Sequence, residues 1–222
     1  MSEAPVADPD GARARRREEL LDAADRAVHA IGPGASMVAI AAEAGITKPV
    51  LYRHFGDKGG LYRALAERHT GRLMELLRGA LGGRDTPDVR ASTEAVVDAY
   101  LGFIAERPAT YLFLVRGEAA AAPEVRGHVE AFLGGFAAVL AAALRHALAL
   151  PDDDPDPTPV VWSHAMAGAV QRAGDWWLDH PDVVDRPALV VSITDLLHGG
   201  FPARATRTSG PTRPATRPAP QP

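Results

Sequence analysis

The chain contains no cysteine among its 222 residues. Disulfides and thiolate-held zinc are therefore excluded, and the composition suits a reducing compartment. Aromatic residues make up only 6% of the sequence, and β-branched residues rarely alternate with polar ones, so sheet is not expected. No apolar run reads as long enough to span a membrane, and the opening MSEAPVADPDGARARRR lacks the apolar centre of a signal peptide. The expectation is a cytoplasmic protein with no membrane partner. Catalytic patterns are missing as well. There is no nucleophile elbow, no phosphate-binding glycine loop and no His-Glu-x-x-His. Asp152–Asp154 and Asp156 resemble a calcium loop in composition only, because the fixed glycine and terminal glutamate of an EF-hand are absent. Neither an enzyme, nor a cofactor, nor a metal is expected.

What is present is helix-forming sequence, rich in Ala, Leu, Arg and Glu, punctuated by Pro and Gly. The chain reads as all-α. A formal net charge of −4 argues against a general nucleic-acid binder, but the charge is uneven. Residues 11–70 carry ten bases against seven acids. Arg15, Arg16 and Arg17 form a basic arm that a phosphate backbone or plain solvent could accommodate.

The most informative stretch is SMVAIAAEAGITKPVLYRHFGDKGGLYRAL, residues 36–65. Met37, Ile40, Ala41 and Ala44 form a helical stripe with Ser36 as a cap, and Gly45 suits the left-handed turn that ends a helix. Thr47 is placed to cap a second helix, Lys48–Phe55, with Pro49 in its first turn. Leu51 and Phe55, four apart, anchor that helix, leaving Lys48, Tyr52, Arg53 and His54 on the other side. Gly56 ends it, and Asp57 caps a third helix whose first turn holds Lys58, against the helix dipole. Two short helices around a tight turn make a helix-turn-helix, whose second helix enters a DNA major groove.

These residues resemble the DNA-binding signature of the tetracycline-repressor (TetR) family. Ile40–Ala41, Ala44–Gly45, Thr47, Leu51–Tyr52, His54–Phe55 and Lys58 match that pattern at its spacing. Gly59–Gly60 departs from it and is expected to loosen the hinge to the following domain. The resemblance implies a helix-turn-helix head and a helical domain for ligand binding and dimerisation, acting together as a ligand-responsive repressor of palindromic operator DNA. Lys48, Val50, Tyr52 and Arg53 would face bases or groove wall. Thr47, Tyr52, His54 and Lys58 would hold phosphates, assisted by Ser36 and the Arg15–Arg17 arm.

Four parts are expected: a disordered arm at 1–12, the head at 13–57, a regulatory domain at 58–201 and a disordered Pro/Arg-rich tail at 202–222. The first helix runs from about Arg16 to Ile31, burying Leu20, Ala24, Ala27, Val28 and Ile31. Leu61, Leu65, Leu73, Leu76 and Leu77 give the helix after Asp57 a core face. Further helices are expected at about 88–105, 109–116, 123–149, 159–179 and 187–199, bounded by prolines. Tyr100, Phe103, Tyr111, Phe132, Phe136, Trp162, Met166 and Trp176 are candidate walls of a pocket for a largely apolar or aromatic inducer. Val161, Ala165, Gly168, Ala169 and Arg172, with Leu189, Ile193, Leu196 and Leu197, are candidates for a homodimer interface. A constitutive DNA-binding regulator with a filled helical bundle is the competing reading.

Overall fold

A computed structural model describes residues 9–82, 88–117, 119–151 and 153–199. Nine α-helices and one short 3-10 turn account for the regular structure of those residues. Most of the loop expected between 82 and 88, and the tail at 202–222, lie outside the described residues.

The head comprises α1 (Pro9–Ile31), α2 (Met37–Glu43) and α3 (Lys48–Phe55), closed by the start of α4 (Lys58–Gly82). Residues 9–12 belong to α1 and not to a disordered arm; Asp10 in its first turn complements the dipole of a helix rich in Ala, Arg and Glu. Ser36 caps α2 by accepting a hydrogen bond from the Ala39 amide at 3.3 Å. Gly45 adopts φ +65°, so the chain reverses there without the steric cost a side chain would bring. Thr47 occupies the N-cap position of α3, but its hydroxyl makes no cap hydrogen bond, contrary to expectation.

Asp57 caps α4 as expected, accepting from the Gly60 amide at 2.7 Å. The paired glycines serve packing and not looseness. A Cβ on Gly60 would sit 1.9 Å from the Phe55 carbonyl oxygen, a distance no side chain tolerates. The head core gathers Leu21, Val28, Ile40, Leu51, Leu61 and Leu65. Ile31 and Leu76, expected inside, are exposed at 55% and 42%. Ile31 ends its helix, and Leu76 falls just off the 73/77 stripe.

The second domain is built from α4, α5 (Val89–Glu106), α6 (Pro108–Val115), α7 (Pro123–Ala147), α8 (Thr158–Asp179) and α9 (Arg186–Gly199), with the 3-10 turn at Ala119–Ala121. Prolines open α6, α7 and α8 in their first turns, where their missing N–H costs nothing. The acidic stretch before α8 forms turns: Asp154 accepts from the Asp156 amide, and Asp156 accepts from the Thr158 amide, both at 2.9 Å. No group of metal-ligating side chains forms among the described residues.

α7 is long and apolar enough to cross a membrane by length and composition, with a window of mean hydropathy 1.6. In the fold it packs between α4 and α8. Its apolar character lines a cavity, as described next.

The head is welded to this bundle. Phe113 and Leu114 of α6, together with Ala119 and Val125, belong to the head core. Phe113 meets Tyr62 of α4 edge-to-face at 5.0 Å, a favourable aromatic geometry.

Candidate DNA interface and ligand cavity

α3 presents Lys48 and Arg53 outward, and neither forms an ion pair among the described residues. Val50 and His54 are half-buried. Leu51 is fully buried, fixing which face of α3 points away. Tyr52 is less free than the sequence suggests: its ring packs against the head core, and the Lys48 ammonium lies 5.3 Å from its centroid. Arg17 likewise stacks its guanidinium 5.0 Å from the Phe55 ring, holding α1 against α3. Arg16 pairs with Glu19 at 2.7 Å, while Arg15 is exposed. Ser36 and Thr47 are exposed at the starts of α2 and α3, and Lys58 opens α4 beside them.

The electrostatics converge on His54. Its pKa is lowered by partial burial and then by the charges of Arg53, Arg16 and Arg13. The field that expels a proton from this ring comes from two helices, so the basic arm of α1 and the recognition helix α3 act on the same space. An anion such as a DNA phosphate is what that field attracts.

The second feature is a cavity of about 540 Å³ inside the bundle. Down α4 it is lined by His69, Leu73, Leu77 and Leu81. Twelve residues of helix at 1.5 Å each make that wall roughly 18 Å long. α7 supplies the opposite wall with Val129, Phe132, Leu133, Phe136 and Leu140. The lining is overwhelmingly apolar and extends along α4 and α7.

Of the eight pocket candidates, Tyr100, Phe103, Tyr111, Phe132, Phe136, Trp162 and Met166 line this space. Trp176 does not. It is 43% exposed and stacks on His180 at 4.8 Å; it shares Trp162's side of α8 but lies further along the helix, past Gln171, the last α8 residue lining the cavity. The two tyrosines add a polar spot: their hydroxyls lie 3.0 Å apart, and Tyr111 donates to Asp175 at 2.6 Å. Burial raises both phenols, Tyr100 to about 12, so both stay protonated.

The interface candidates divide. Val161 is 60% exposed and Leu196 45% exposed, beside exposed Ala165 and Gly168 and half-buried Ala169. Leu189 and Ile193 are instead buried against α5, and Leu197 lines the cavity. α9 is apolar around most of its circumference, so its period alone does not separate the face that meets α5 from the face left outward. Arg172 reaches back to Asp175 at 3.1 Å while its side chain stays 78% exposed.

Sequence reasoning missed the junction. Asp25 of α1 and His69 of α4 are both buried, with Oδ1 and Nε2 2.6 Å apart. Arg68 and Arg107 approach the same carboxylate at 3.4 and 3.8 Å. His69, Arg107 and Thr110 also line the cavity. The available signal was a histidine within the Leu65–Leu73–Leu77 stripe of α4.

Comparison with known proteins fits this arrangement. Residues 20–65 match the bacterial regulatory proteins of the tetR family, and residues 76–213 match the tetracyclin repressor-like C-terminal domain. The chain belongs to the TetR family. It is a TetR-family transcriptional regulator with a DNA-binding helix-turn-helix. Over 123 residues it is 38% identical to the HTH-type transcriptional activator FasR of Mycolicibacterium smegmatis, a match spanning 53% of this chain and 53% of that relative. An uncharacterised HTH-type regulator of Mycobacterium tuberculosis is 29% identical over 76% of this chain and 70% of its own length. Among solved structures, the TetR fold recurs in the regulator FadR of Bacillus subtilis in complex with stearoyl-CoA. That match has a TM-score of 0.67 and 18% identity, covering 83% of this chain and 98% of that one. It recurs also in the fatty acid degradation regulator FadR of Bacillus halodurans, with a TM-score of 0.68 and 18% identity over 91% and 99% of the two chains.

Proposed function

We propose that this protein is a dimeric, ligand-responsive repressor that reads a palindromic operator through α3 and is released when a long-chain acyl thioester fills the cavity. The observation that carries the reading is the shared wall. α4 begins at the base of the head and then forms one side of an elongated apolar cavity. A chain lying along that cavity touches α4 over several turns, so its binding energy differs between arrangements of α4 relative to the bundle. Each head follows its α4, which changes the separation of two recognition helices across successive turns of DNA.

The acyl reading draws support from two features: the cavity's long shape with its apolar walls, and a structural relative holding stearoyl-CoA. The dimer reading draws support from an apolar strip left uncovered on α8 and α9, where Val160, Val161, Val191 and Leu196 are all 45–60% exposed. Large apolar side chains gathered this way mark an association surface. A constitutive regulator with a filled bundle would have no use for a void of about 540 Å³.

The test is a mobility shift on DNA flanking the protein's own gene, with and without hexadecanoyl-CoA. Salt-sensitive specific binding by a dimer, lost on adding the thioester, is the expected result. Specific binding that persists at saturating thioester would overturn the ligand reading, and binding by a monomer would overturn the dimer.

A further inference from the structure

The cavity opens at one end. Val89, Leu148 and Trp162 line it and are 41–49% exposed, so the mouth lies where α5 and α8 begin and α7 ends. Tyr100 follows Val89 on α5 by eleven residues, roughly 16 Å of helix. There the apolar lining is interrupted by Tyr100 and Tyr111, whose hydroxyl oxygens lie 3.0 Å apart. The Tyr100 ring is held in place from α8. A Cβ on Gly174 would come within 2.9 Å of Tyr100 Cε1, so the missing side chain lets α8 lie this close to the ring.

The direction of each hydrogen bond follows from the carboxylate at the end of the row. Asp175 is 3% exposed. One of its oxygens accepts from Arg172 at 3.1 Å; the other accepts from the Tyr111 hydroxyl at 2.6 Å and has Arg116 3.8 Å away. A carboxylate held between two guanidinium groups only accepts. Tyr111 has one proton and gives it to Asp175, so the proton between the two phenols comes from Tyr100. The Tyr100 oxygen then accepts nothing among the described residues. Burial keeps its proton on, pushing the phenol up to about 12. Tyr111 and Asp175 join α6 to α8 without Tyr100, and the Tyr100 ring would pack equally well without its hydroxyl. What that oxygen adds is a hydrogen-bond acceptor inside an apolar cavity.

We propose that Tyr100 is a specificity-determining residue of the cavity, accepting a hydrogen bond from a hydroxyl group carried in the distal half of a long acyl chain. This rests on the long-chain reading given above. The polar head of the thioester stays at the mouth, because burying it in an apolar interior is costly. The part of the ligand that meets Tyr100 therefore lies many carbons along the chain. A hydroxyl at that level donates to the Tyr100 oxygen. A keto oxygen has no proton to give, and the proton of Tyr100 is committed to Tyr111. A methylene makes no bond. The favoured ligand class is a long-chain acyl thioester hydroxylated far from its thioester end.

The experiment titrates the full chain calorimetrically with hexadecanoyl-CoA and with its 12-hydroxy, 12-oxo and 3-hydroxy counterparts. The 12-hydroxy thioester is expected to bind about tenfold more tightly than the others, the scale of one hydrogen bond to a buried group. Tyr100→Phe removes the one oxygen and should bring the 12-hydroxy thioester to the affinity of hexadecanoyl-CoA, whose own binding persists. Tyr111→Phe releases the Tyr100 proton, so the 12-oxo thioester should then bind as tightly as the 12-hydroxy one, a change that lost packing would not produce. Gln171 also lines the cavity, about one turn before Asp175, and its carboxamide forms no hydrogen bond among the described residues. A preference that survives Tyr100→Phe overturns the assignment, and its loss in Gln171→Leu would place the hydroxyl at that carboxamide instead. Equal affinity of the parent protein for all the thioesters overturns the subsite and leaves the long-chain reading standing. Binding of none removes both.

Discussion

Asp25 of α1 and His69 of α4 meet at 2.6 Å inside the junction between the DNA-binding head and the cavity. They are 44 residues apart in sequence. The pair is buried, flanked by Arg68 and Arg107, and touches both functional regions. Replacing Asp25 by Ala strands the buried His69 Nε2, while Arg68 keeps Asp22 and Glu18 as partners. The expected loss is about 3 kcal/mol of stability, because breaking one member of a buried charged cluster costs more than the cluster contributes. Denaturant melts would measure it; a change below roughly 0.5 kcal/mol would show that the cluster is solvated.

Lys48 and Arg53 point from α3 into the space where a groove would lie, without ion pairs of their own among the described residues. Lys48→Ala or Arg53→Ala should weaken operator binding while leaving the thermal melt unchanged. For a phosphate contact the log–log salt slope should fall by about one per head. Unaltered affinity and slope in both variants would mean that another surface binds DNA.

His54 gives a pH signature. Its pKa is depressed in the folded protein by burial and by neighbouring arginines. The unfolded ring takes up its proton first as pH falls below 6.5, so this group costs stability progressively from that value down through the lowered folded pKa, and costs none above it. A DNA phosphate beside the ring reverses the preference, so operator binding takes up a proton and tightens as pH falls through that window. Fluorescence anisotropy titrations at several pH values should show this trend, with His54→Gln flattening it. An equally steep trend in the glutamine variant would place the proton elsewhere.

Gly60→Ala should be among the most damaging single substitutions in the chain. Its Cβ would meet the Phe55 carbonyl at 1.9 Å, and that carbonyl belongs to the last residue of α3. Overpacking of this kind costs about 3 kcal/mol. A circular-dichroism melt at the parent temperature would show that the α3–α4 corner can open, contrary to this packing.

The head was legible because its signals are local. The Ser36 and Asp57 caps, Gly45 and Pro49 each act within a few residues, and each stands where the sequence places it, Thr47's missing hydrogen bond aside. The bundle was legible in its breaks, since proline stops a helix whatever surrounds it. Facing directions were less legible. Leu189, Ile193 and Leu196 share a helical period whether they meet α5 or another molecule, and only the packing decides. Trp162 and Trp176 divide for the same reason, one lining the cavity and one standing outside it. The Asp25–His69 contact needs two helices brought side by side, which no local pattern specifies.

The void at the centre of the bundle bears on how long the molecule survives. Unfilled apolar space weakens a fold, and any ligand that binds only the folded form restores what the space withholds. A fold left without such a ligand would open more often and meet proteases sooner. Small changes in fold stability alter abundance several-fold, so a molecule that filled this space would also raise the quantity of regulator present.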